Sequence, residues 1–211
     1  MDKLYVQYGC GLSAPIGWRN FDVSPTLRLH KIPFLGKLLK NNSKTVFPDN
    51  VQYGDIIKQL PVAENSCDGV YCSHTLEHLS FNDCRISLKN TYKILKPNGI
   101  FRCIVPDLEM SARAYVRSLD ARNIDAGNVF LRQTLLGIEN RPRGLKNLIV
   151  AYFGNSHHLW MWDKFSLTNE LFSAGFSSVR ICSFNDSEDI HFQSVEDEGR
   201  FNDGVAFEAI K

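Results

Sequence analysis

The chain has 211 residues, of which 44% are hydrophobic and 22% are charged, and these are ordinary values for a globular protein of one domain. Its formal net charge of +1 gives no general attraction to nucleic acid. No apolar run approaches the roughly 20 residues that a transmembrane helix needs. We therefore predict a single domain over residues 1–211, without a nucleic-acid partner and without a transmembrane segment.

The cysteines indicate a reducing environment. None of them forms a close C-x-x-C pair, and most fall in apolar strand or helix patterns, as small buried hydrophobic residues do. They are Cys10, Cys67, Cys72, Cys84, Cys103 and Cys182. The N-terminus starts with a strand pattern rather than a signal peptide, so we expect a cytoplasmic protein with free cysteines.

The first predicted strand, Leu4–Tyr8, leads directly into Gly9-Cys10-Gly11. Two glycines at this point let the backbone turn tightly and approach a ligand closely. A second predicted strand, Trp18–Asp22, ends in a carboxylate. A strand, a glycine turn, a second strand and a terminal acid together form a frame that binds a ribose through its hydroxyls.

The spacing in this frame discriminates between nucleotides. A dinucleotide fingerprint needs a helix after the glycines and an acid about 20 residues further on. Here Gly11 and Asp22 are too close, and Pro15 and Gly17 between them disfavour a helix. A ligand with a ribose but no phosphate cradle is favoured, which indicates S-adenosylmethionine rather than NAD, FAD or ATP.

Strand and helix patterns then alternate along the chain, as an α/β sheet requires. A basic amphipathic pattern over Leu27–Leu39 predicts a core-facing helix, with contact to an anionic membrane surface as the less favoured alternative. The later predicted strands are Val51–Tyr53, Val70–Cys72, Gly99–Val105, Ser178–Phe184 and Val205–Ile210. The later predicted helices are Phe81–Leu95, Asp107–Leu119, Ala126–Leu136 and Phe165–Ala174.

A cluster of titratable residues follows the Val70–Cys72 strand. His74-Thr-Leu-Glu77-His78 has the H-x-x-E-H spacing of one class of zinc peptidase. That motif belongs within a long helix, whereas His74 follows a strand almost at once, so a zinc hydrolase is only a remote alternative. We expect no metal site from this pattern.

Ordered motifs over most of the chain resemble class I methyltransferases that use S-adenosylmethionine, and within them small proteins often linked to glycan biosynthesis. The N-terminal motifs are Tyr8-Gly-Cys-Gly11, Gly17-Trp-Arg-Asn-Phe-Asp22, Tyr53-Gly-Asp55, Leu60-Pro61 and Asn65-Ser-Cys-Asp68. The later ones are Ser73-His-Thr-Leu-Glu-His78, Leu95-Lys-Pro-Asn-Gly99, Val105-Pro-Asp-Leu-Glu109, His158-Leu-Trp-Met-Trp-Asp163 and Leu171-Phe-Ser-Ala-Gly-Phe176.

This resemblance implies a Rossmann-like α/β sheet that is mostly parallel, with an antiparallel C-terminal strand and a helical insertion at about 110–157 after the fifth strand. It implies S-adenosylmethionine as the cofactor. The residues predicted to bind it are Gly9, Gly11, Asp22, Asp55, Ile56, Ser73 and His74. Asp55 is alternatively a helix N-cap.

The expected reaction is methyl transfer to a small-molecule or glycan acceptor, with a hydroxyl as the favoured accepting group. The candidate catalytic residues are His74, Asp107 and His158, although an N-cap role is favoured for Asp107 and a structural role for His78. The aromatic patch around Trp160 and Trp162 is either part of an acceptor pocket or part of the core.

A different class of function stays open. The usual third small residue after the glycine pair is replaced by Leu12-Ser13-Ala14, and this departure is the reason to keep a second hypothesis. This second hypothesis is that the chain is a degenerate member of the fold that acts as a binding module.

Overall fold

A computed structural model describes residues 3–30, 46–140, 143 and 157–211. These residues form a seven-stranded sheet in the order β3-β2-β1-β4-β5-β7-β6. The strands are β1 (Tyr5–Tyr8), β2 (Trp18–Asp22), β3 (Val51–Tyr53), β4 (Cys67–Ser73), β5 (Leu95–Pro106), β6 (Ser178–Cys182) and β7 (Gly204–Ile210).

Most of the strand pairs are parallel. β1 pairs in parallel with β2 and β4, β2 pairs with β3, and β4 pairs with β5. β7 is antiparallel to both of its neighbours, β5 and β6. The predicted class of fold is therefore confirmed, and the carboxyl ends of the five parallel strands lie at one edge of the sheet.

The helices confirm most of the predicted elements. They are α1 (Pro25–His30), α2 (Phe81–Ile94), α3 (Leu108–Asp120), α4 (Ala126–Gln133) and α5 (Lys164–Ala174). The predicted helix over Leu27–Leu39 is described only as far as His30, because residues 31–45 lie outside the described part of the chain. Among the described helices, none combines the length and the apolar character needed to cross a membrane.

The junction between α2 and β5 differs from its prediction. The turn residues Pro97-Asn98-Gly99 were expected to separate helix and strand, but β5 already begins at Leu95. Cys67 pairs with Leu95 and Gly69 pairs with Ile100, so residues 96–99 bulge out opposite one residue of β4. The predicted turn exists inside the strand, where Asn98 adopts a φ of 64°.

One face of the sheet packs against α2 and α5. Leu88 of α2 and Leu167 and Leu171 of α5 are fully buried with strand residues such as Val70 and Phe101. The start of α5 carries a capping box between Asp163 and Ser166, and Gly175 ends the helix with a φ of 116°. All six cysteines are free and buried, as predicted.

The other face is covered by the segment between β6 and β7. Phe192 of a 3₁₀ turn (Ile190–Ser194) packs on Tyr5 and Trp18. The hydroxyl of Tyr5 donates to Asp189 at 2.6 Å, and the indole of Trp18 donates to Ser194 at 2.9 Å. These bonds fix the covering segment to β1 and β2.

A buried arginine anchors the same segment to the middle of the sheet. Arg102 of β5 is 1% exposed, and its guanidinium donates to Glu196 at 2.7 Å, to Glu208 at 2.8 Å and to Asp186 at 3.0 Å. A further bond reaches the carbonyl of Ser183 at 3.1 Å. Because a buried charge needs partners, this set determines how the chain after β6 packs.

We expect Arg102→Met to destabilise the fold by about 3–5 kcal/mol, because the buried carboxylates of Glu196 and Glu208 lose their shared cation. Urea unfolding followed by far-ultraviolet circular dichroism measures this change. The matched control is Arg113→Met, which removes an exposed ion pair with Glu109 and should change stability by less than about 1 kcal/mol. Equal effects of the two substitutions would show that the Arg102 network is not structural.

Candidate active site

The glycine turn after β1 lies at the carboxyl edge of the sheet, and its two glycines have different surroundings. Both adopt left-handed conformations, with φ of 62° at Gly9 and 54° at Gly11. A Cβ atom on Gly9 would lie 2.1 Å from the Oγ1 atom of Thr75, whereas one on Gly11 would meet nothing within 4 Å. Gly9 therefore permits close packing on the end of β4, and Gly11 leaves open space where a ligand can approach the backbone.

Asp22 holds this turn in place from the end of β2. One carboxylate oxygen accepts from the backbone N–H of Gly11 at 2.9 Å, and the other accepts from that of Ser24 at 2.7 Å. The N–H of Cys10 also donates to the carbonyl of Phe21 at 3.1 Å. The predicted glycine turn and acid are thus joined directly, and no helix intervenes between them, as predicted.

Asp55 follows β3 and caps a 3₁₀ turn (Ile56–Lys58). Its side chain accepts from the N–H of Ile57 at 3.0 Å, so the N-cap alternative is observed. The side chain of Ile56 is 6% exposed and belongs to the main core, while Asn90 of α2 donates to its carbonyl at 2.7 Å. These contacts fix the backbone at the end of β3.

Ser73 and His74 follow in the chain at the end of β4. The hydroxyl of Ser73 is buried without a hydrogen-bond partner among the described residues. His74 adopts a φ of 50°, a strained conformation for a residue with a side chain, and such strain is concentrated at functional sites. Its Nε2 atom lies 3.1 Å from the carbonyl of Arg200, and burial lowers the pKa of its ring.

Glu77 is the most unusual residue of the site. Its side chain is fully buried in a 3₁₀ turn (Leu76–His78), and neither carboxylate oxygen has a hydrogen-bond partner among the described residues. Burial raises the pKa of Glu77 to about 8. Its Oε1 atom lies 3.6 Å from Nδ1 of His74 and 3.9 Å from Nε2 of His78, distances too long for hydrogen bonds.

The segment that starts at His157 brings a further histidine to Glu77. The carbonyl of Glu77 accepts from the N–H of Leu159 at 2.7 Å, and the carbonyl of His157 lies 3.0 Å from Nδ1 of His78. The ring of His158 then stands edge-on to that of His78, with 5.0 Å between centroids. Burial, and then the proximity of His78, lower the pKa of His158 to about 4.

The two tryptophans of the aromatic patch differ in burial, which bears on whether each belongs to an acceptor pocket or to the core. Trp162 is 1% exposed and belongs to the core, where it stacks on Phe81. Trp160 also contacts Phe81, at 4.8 Å between centroids, but is 44% exposed. Trp160 is therefore available to a ligand and Trp162 is not.

Asp107, at the end of β5, caps α3. Its Oδ1 atom accepts from the N–H of Glu109 at 2.8 Å, which is the role that the sequence favoured. The isolated bridge between Asp107 and Trp162 ties the end of β5 to the segment that carries His158.

The structure therefore places most of the predicted site residues around one edge of the sheet, at the ends of β1, β2, β3, β4 and β5. The sequence did not predict that Thr75 packs against Gly9 or that His158 meets Glu77 and His78. No spacing rule predicts such contacts, because they join separate loops.

Comparisons with known proteins find similarity in part of the sequence and in the fold. Residues 7–103, which contain the end of β1, all of β2 to β4 and most of β5, match a family model described as a methyltransferase domain. No curated protein matches the chain.

Several solved structures share the fold. A S-adenosylmethionine-dependent methyltransferase from Thermotoga maritima matches with a TM-score of 0.52 and 16% identity, over 100% of this chain and 83% of that one. Another from Archaeoglobus fulgidus matches with a TM-score of 0.51 and 19% identity, over 99% of this chain and 86% of that one. At identities this low, the likeness shows the fold.

Residues 7–103 are thus similar to a methyltransferase domain, and the chain has a fold that S-adenosylmethionine-dependent methyltransferases share. The open space at Gly11 and the carboxylate at the end of β2 fit S-adenosylmethionine.

We expect Asp22→Asn to destabilise the protein by about 1–3 kcal/mol, because an amide group would direct N–H donors at the backbone N–H of Gly11 or Ser24. Thermal unfolding in the absence of cofactor measures this effect. Asp120→Asn, at an exposed carboxylate at the end of α3, is the control and should be nearly neutral. If Asp22→Asn were as neutral as the control, Asp22 would not hold the glycine turn.

Proposed function

We propose that the protein transfers a methyl group from S-adenosylmethionine to a hydroxyl of a small-molecule or glycan acceptor. The observation that carries this proposal is the position of His74. It is a partly exposed imidazole, it follows β4 in a strained conformation, and the next residue, Thr75, packs on the glycine turn. This position supports a role for His74 as a proton acceptor beside the turn that we propose faces the cofactor.

The cofactor site in this proposal is built from the ends of β1 to β4. The backbone of Gly9 and Gly11 faces the cofactor, and Asp22 accepts from the ribose hydroxyls with lone pairs that its two backbone bonds leave free. Asp55 and the backbone of Ile56 lie beside the adenine. Because the carboxylate of Asp55 already caps its turn, we expect Asp55 to orient the adenine rather than to supply a charge to it.

Ser73 and His74 complete the wall on the side of the reacting groups. The buried hydroxyl of Ser73 has no described partner and is available to donate to the cofactor. S-adenosylmethionine supplies an already activated methyl group, so the main tasks left to the protein are alignment of the acceptor and removal of its proton.

His74 is the proposed proton acceptor. Its Nε2 atom faces the carbonyl of Arg200, which can only accept, so Nε2 carries the hydrogen and Nδ1 carries the lone pair of the neutral ring. Burial lowers the pKa of this ring and so favours the neutral form. Asp107 is a weaker candidate, because its carboxylate already caps α3.

The acceptor is proposed to bind between this wall and α3 and α4, which are the described helices of the predicted insertion at about 110–157, within what we take to be one domain over residues 1–211. Residues 141–142 and 144–156 of that insertion lie outside the described part of the chain. The half-exposed indole of Trp160 suits the apolar face of a sugar or another ring. A hydroxyl acceptor agrees with a neutral imidazole base, since hydroxyl groups need a base far more than amines do.

The cofactor site is tested by Gly11→Ala. The added Cβ has room in the free protein but would enter the space assigned to the cofactor, so we expect affinity for S-adenosylmethionine and S-adenosylhomocysteine to fall at least about tenfold. Isothermal titration calorimetry on the purified chain measures both affinities. Asp22→Ala should lose binding as well.

The matched control is Gly17→Ala. Gly17 also has a left-handed backbone, with a φ of 93°, and also has nothing within 4 Å of its would-be Cβ, but it lies before β2, away from the proposed site. It should bind the cofactor like the wild type. No binding by well-folded wild-type protein would overturn the proposal and favour the binding-module alternative.

The acceptor class is tested with a panel of sugars, nucleotide-linked sugars, other alcohols and amines, with release of S-adenosylhomocysteine as the readout. Hydroxyl acceptors should stimulate release, and His74→Gln should reduce the turnover number by about 10²- to 10⁴-fold. Stimulation by amines alone, with no effect of His74→Gln, would contradict both the acceptor class and the assigned base.

A further inference from the structure

We propose that Glu77, His78 and His158 form a binding site for one divalent transition-metal ion. Each residue offers one ligand atom, and these atoms all lie within 4.8 Å of one another. The proposal deepens the proposed function, on which it rests only for the role of the bound ion. It also departs from the expectation of no metal site, because the third ligand comes from a separate loop.

The tautomer of His78 is the first argument for a cation. Its Nδ1 atom lies 3.0 Å from the carbonyl of His157, which can only accept a hydrogen bond. The hydrogen of the neutral ring is therefore on Nδ1, and Nε2 presents its lone pair 3.9 Å from Oε1 of Glu77. Such a second hydrogen bond typically fixes the orientation of a metal-binding histidine.

The same reasoning applies to His74. Its Nε2 atom faces the carbonyl of Arg200, so its Nδ1 lone pair lies 3.6 Å from the same Oε1 atom of Glu77. Two nitrogen lone pairs thus lie close to one carboxylate oxygen. Acceptor atoms this close to one another are stabilised by a proton or a metal ion among them.

The carboxylate of Glu77 is the second argument. It is 0% exposed, and neither oxygen has a hydrogen-bond partner in the described part of the chain. A buried carboxylate without partners is expensive in free energy, and binding a metal is one of the few ways to compensate it.

His158 completes the set from the other side. Its ring interacts with the backbone of Thr134 at the end of α4, while its Nδ1 atom is buried without a hydrogen-bond partner among the described residues. Its backbone N–H donates to the carbonyl of Leu135 at 3.3 Å. The ring is thus held against His78, with a nitrogen free to bind an ion.

The donor set selects the class of ion. One carboxylate and two imidazoles suit zinc and its borderline neighbours better than magnesium or calcium, which prefer oxygen ligands alone. Donors that each lie about 2.0–2.2 Å from a metal are about 3–3.5 Å apart, so small ring rotations would close the present separations.

Three protein ligands leave coordination positions open, as in catalytic rather than structural sites. The rings of His74 and His78 are partly exposed, with side-chain exposures of 23% and 16%, so the cluster is not sealed from the acceptor side. An ion there would bind the hydroxyl oxygen of the acceptor and lower its pKa, while His74 takes the proton.

The test is titration of Zn²⁺, with Mg²⁺ for comparison, into chelator-treated full-length protein that carries no histidine tag. We expect one Zn²⁺ per chain, no comparable Mg²⁺ binding, and a tetrahedral-type visible spectrum with Co²⁺. Glu77→Gln and His158→Gln should each weaken Zn²⁺ binding at least tenfold. His191→Gln, at a half-exposed histidine beside Asp189, is the control and should bind like the wild type.

Failure of the wild type to bind Zn²⁺ or Co²⁺, or equal loss in the control and the cluster variants, would overturn the proposal. The cluster would then hold a proton instead of a metal. A parallel titration with S-adenosylmethionine separates this outcome from failure of the proposed function, because cofactor binding does not require the ion. If Glu77→Gln fails to fold, His158→Gln still decides the question, since its ring is only partly buried.

Discussion

The burial of Glu77 is the constraint around which the site is organised. Its carboxylate lies out of water between two imidazole rings, and its carbonyl accepts from Leu159, so one residue connects the end of β4 to the segment that returns after the insertion. Burying an acid without hydrogen-bond donors opposes folding. The burial also raises the pKa of Glu77 to about 8, and titratable groups with strongly shifted pKa values are concentrated at functional sites.

The rest of the fold supplies the rigidity that this centre needs. Helices α2 and α5 cover one face of the sheet, and the segment between β6 and β7 covers the other, where it is held by the buried guanidinium of Arg102. That segment also carries Arg200, whose carbonyl orients His74. The network at Arg102 and the strained conformation of His74 are thus linked through one stretch of chain, so the same packing stabilises the fold and positions the proposed proton acceptor.

The glycine turn and the acid that holds it could be predicted from the sequence because their determinants are local. A strand, two glycines, a short loop and a strand-terminal acid lie within residues 4–22, and their spacing alone distinguishes a ribose frame from a dinucleotide site. Strand and helix patterns also predicted the alternating α/β architecture, since burial of parallel strands leaves continuous apolar runs. The boundary between α2 and β5 was less accurate, because the bulge opposite Asp68 depends on pairing with β4.

The sequence by itself determined the class of fold, the glycine turn and the candidate acid Asp22, since these follow from backbone preferences over short distances. Only the tertiary structure decided that Gly9 packs on Thr75 while Gly11 stays open, and that Trp162 is core while Trp160 is half-exposed. It also decided that the ring of His158 contacts the ring of His78. The two segments are far apart in the sequence, since His78 and its hydrogen-bond partner His157 are separated by 79 positions. The physical reason is that contacts between loops depend on how the whole sheet brings the strand ends together. No local sequence pattern encodes the distance between two loops that are far apart in the chain.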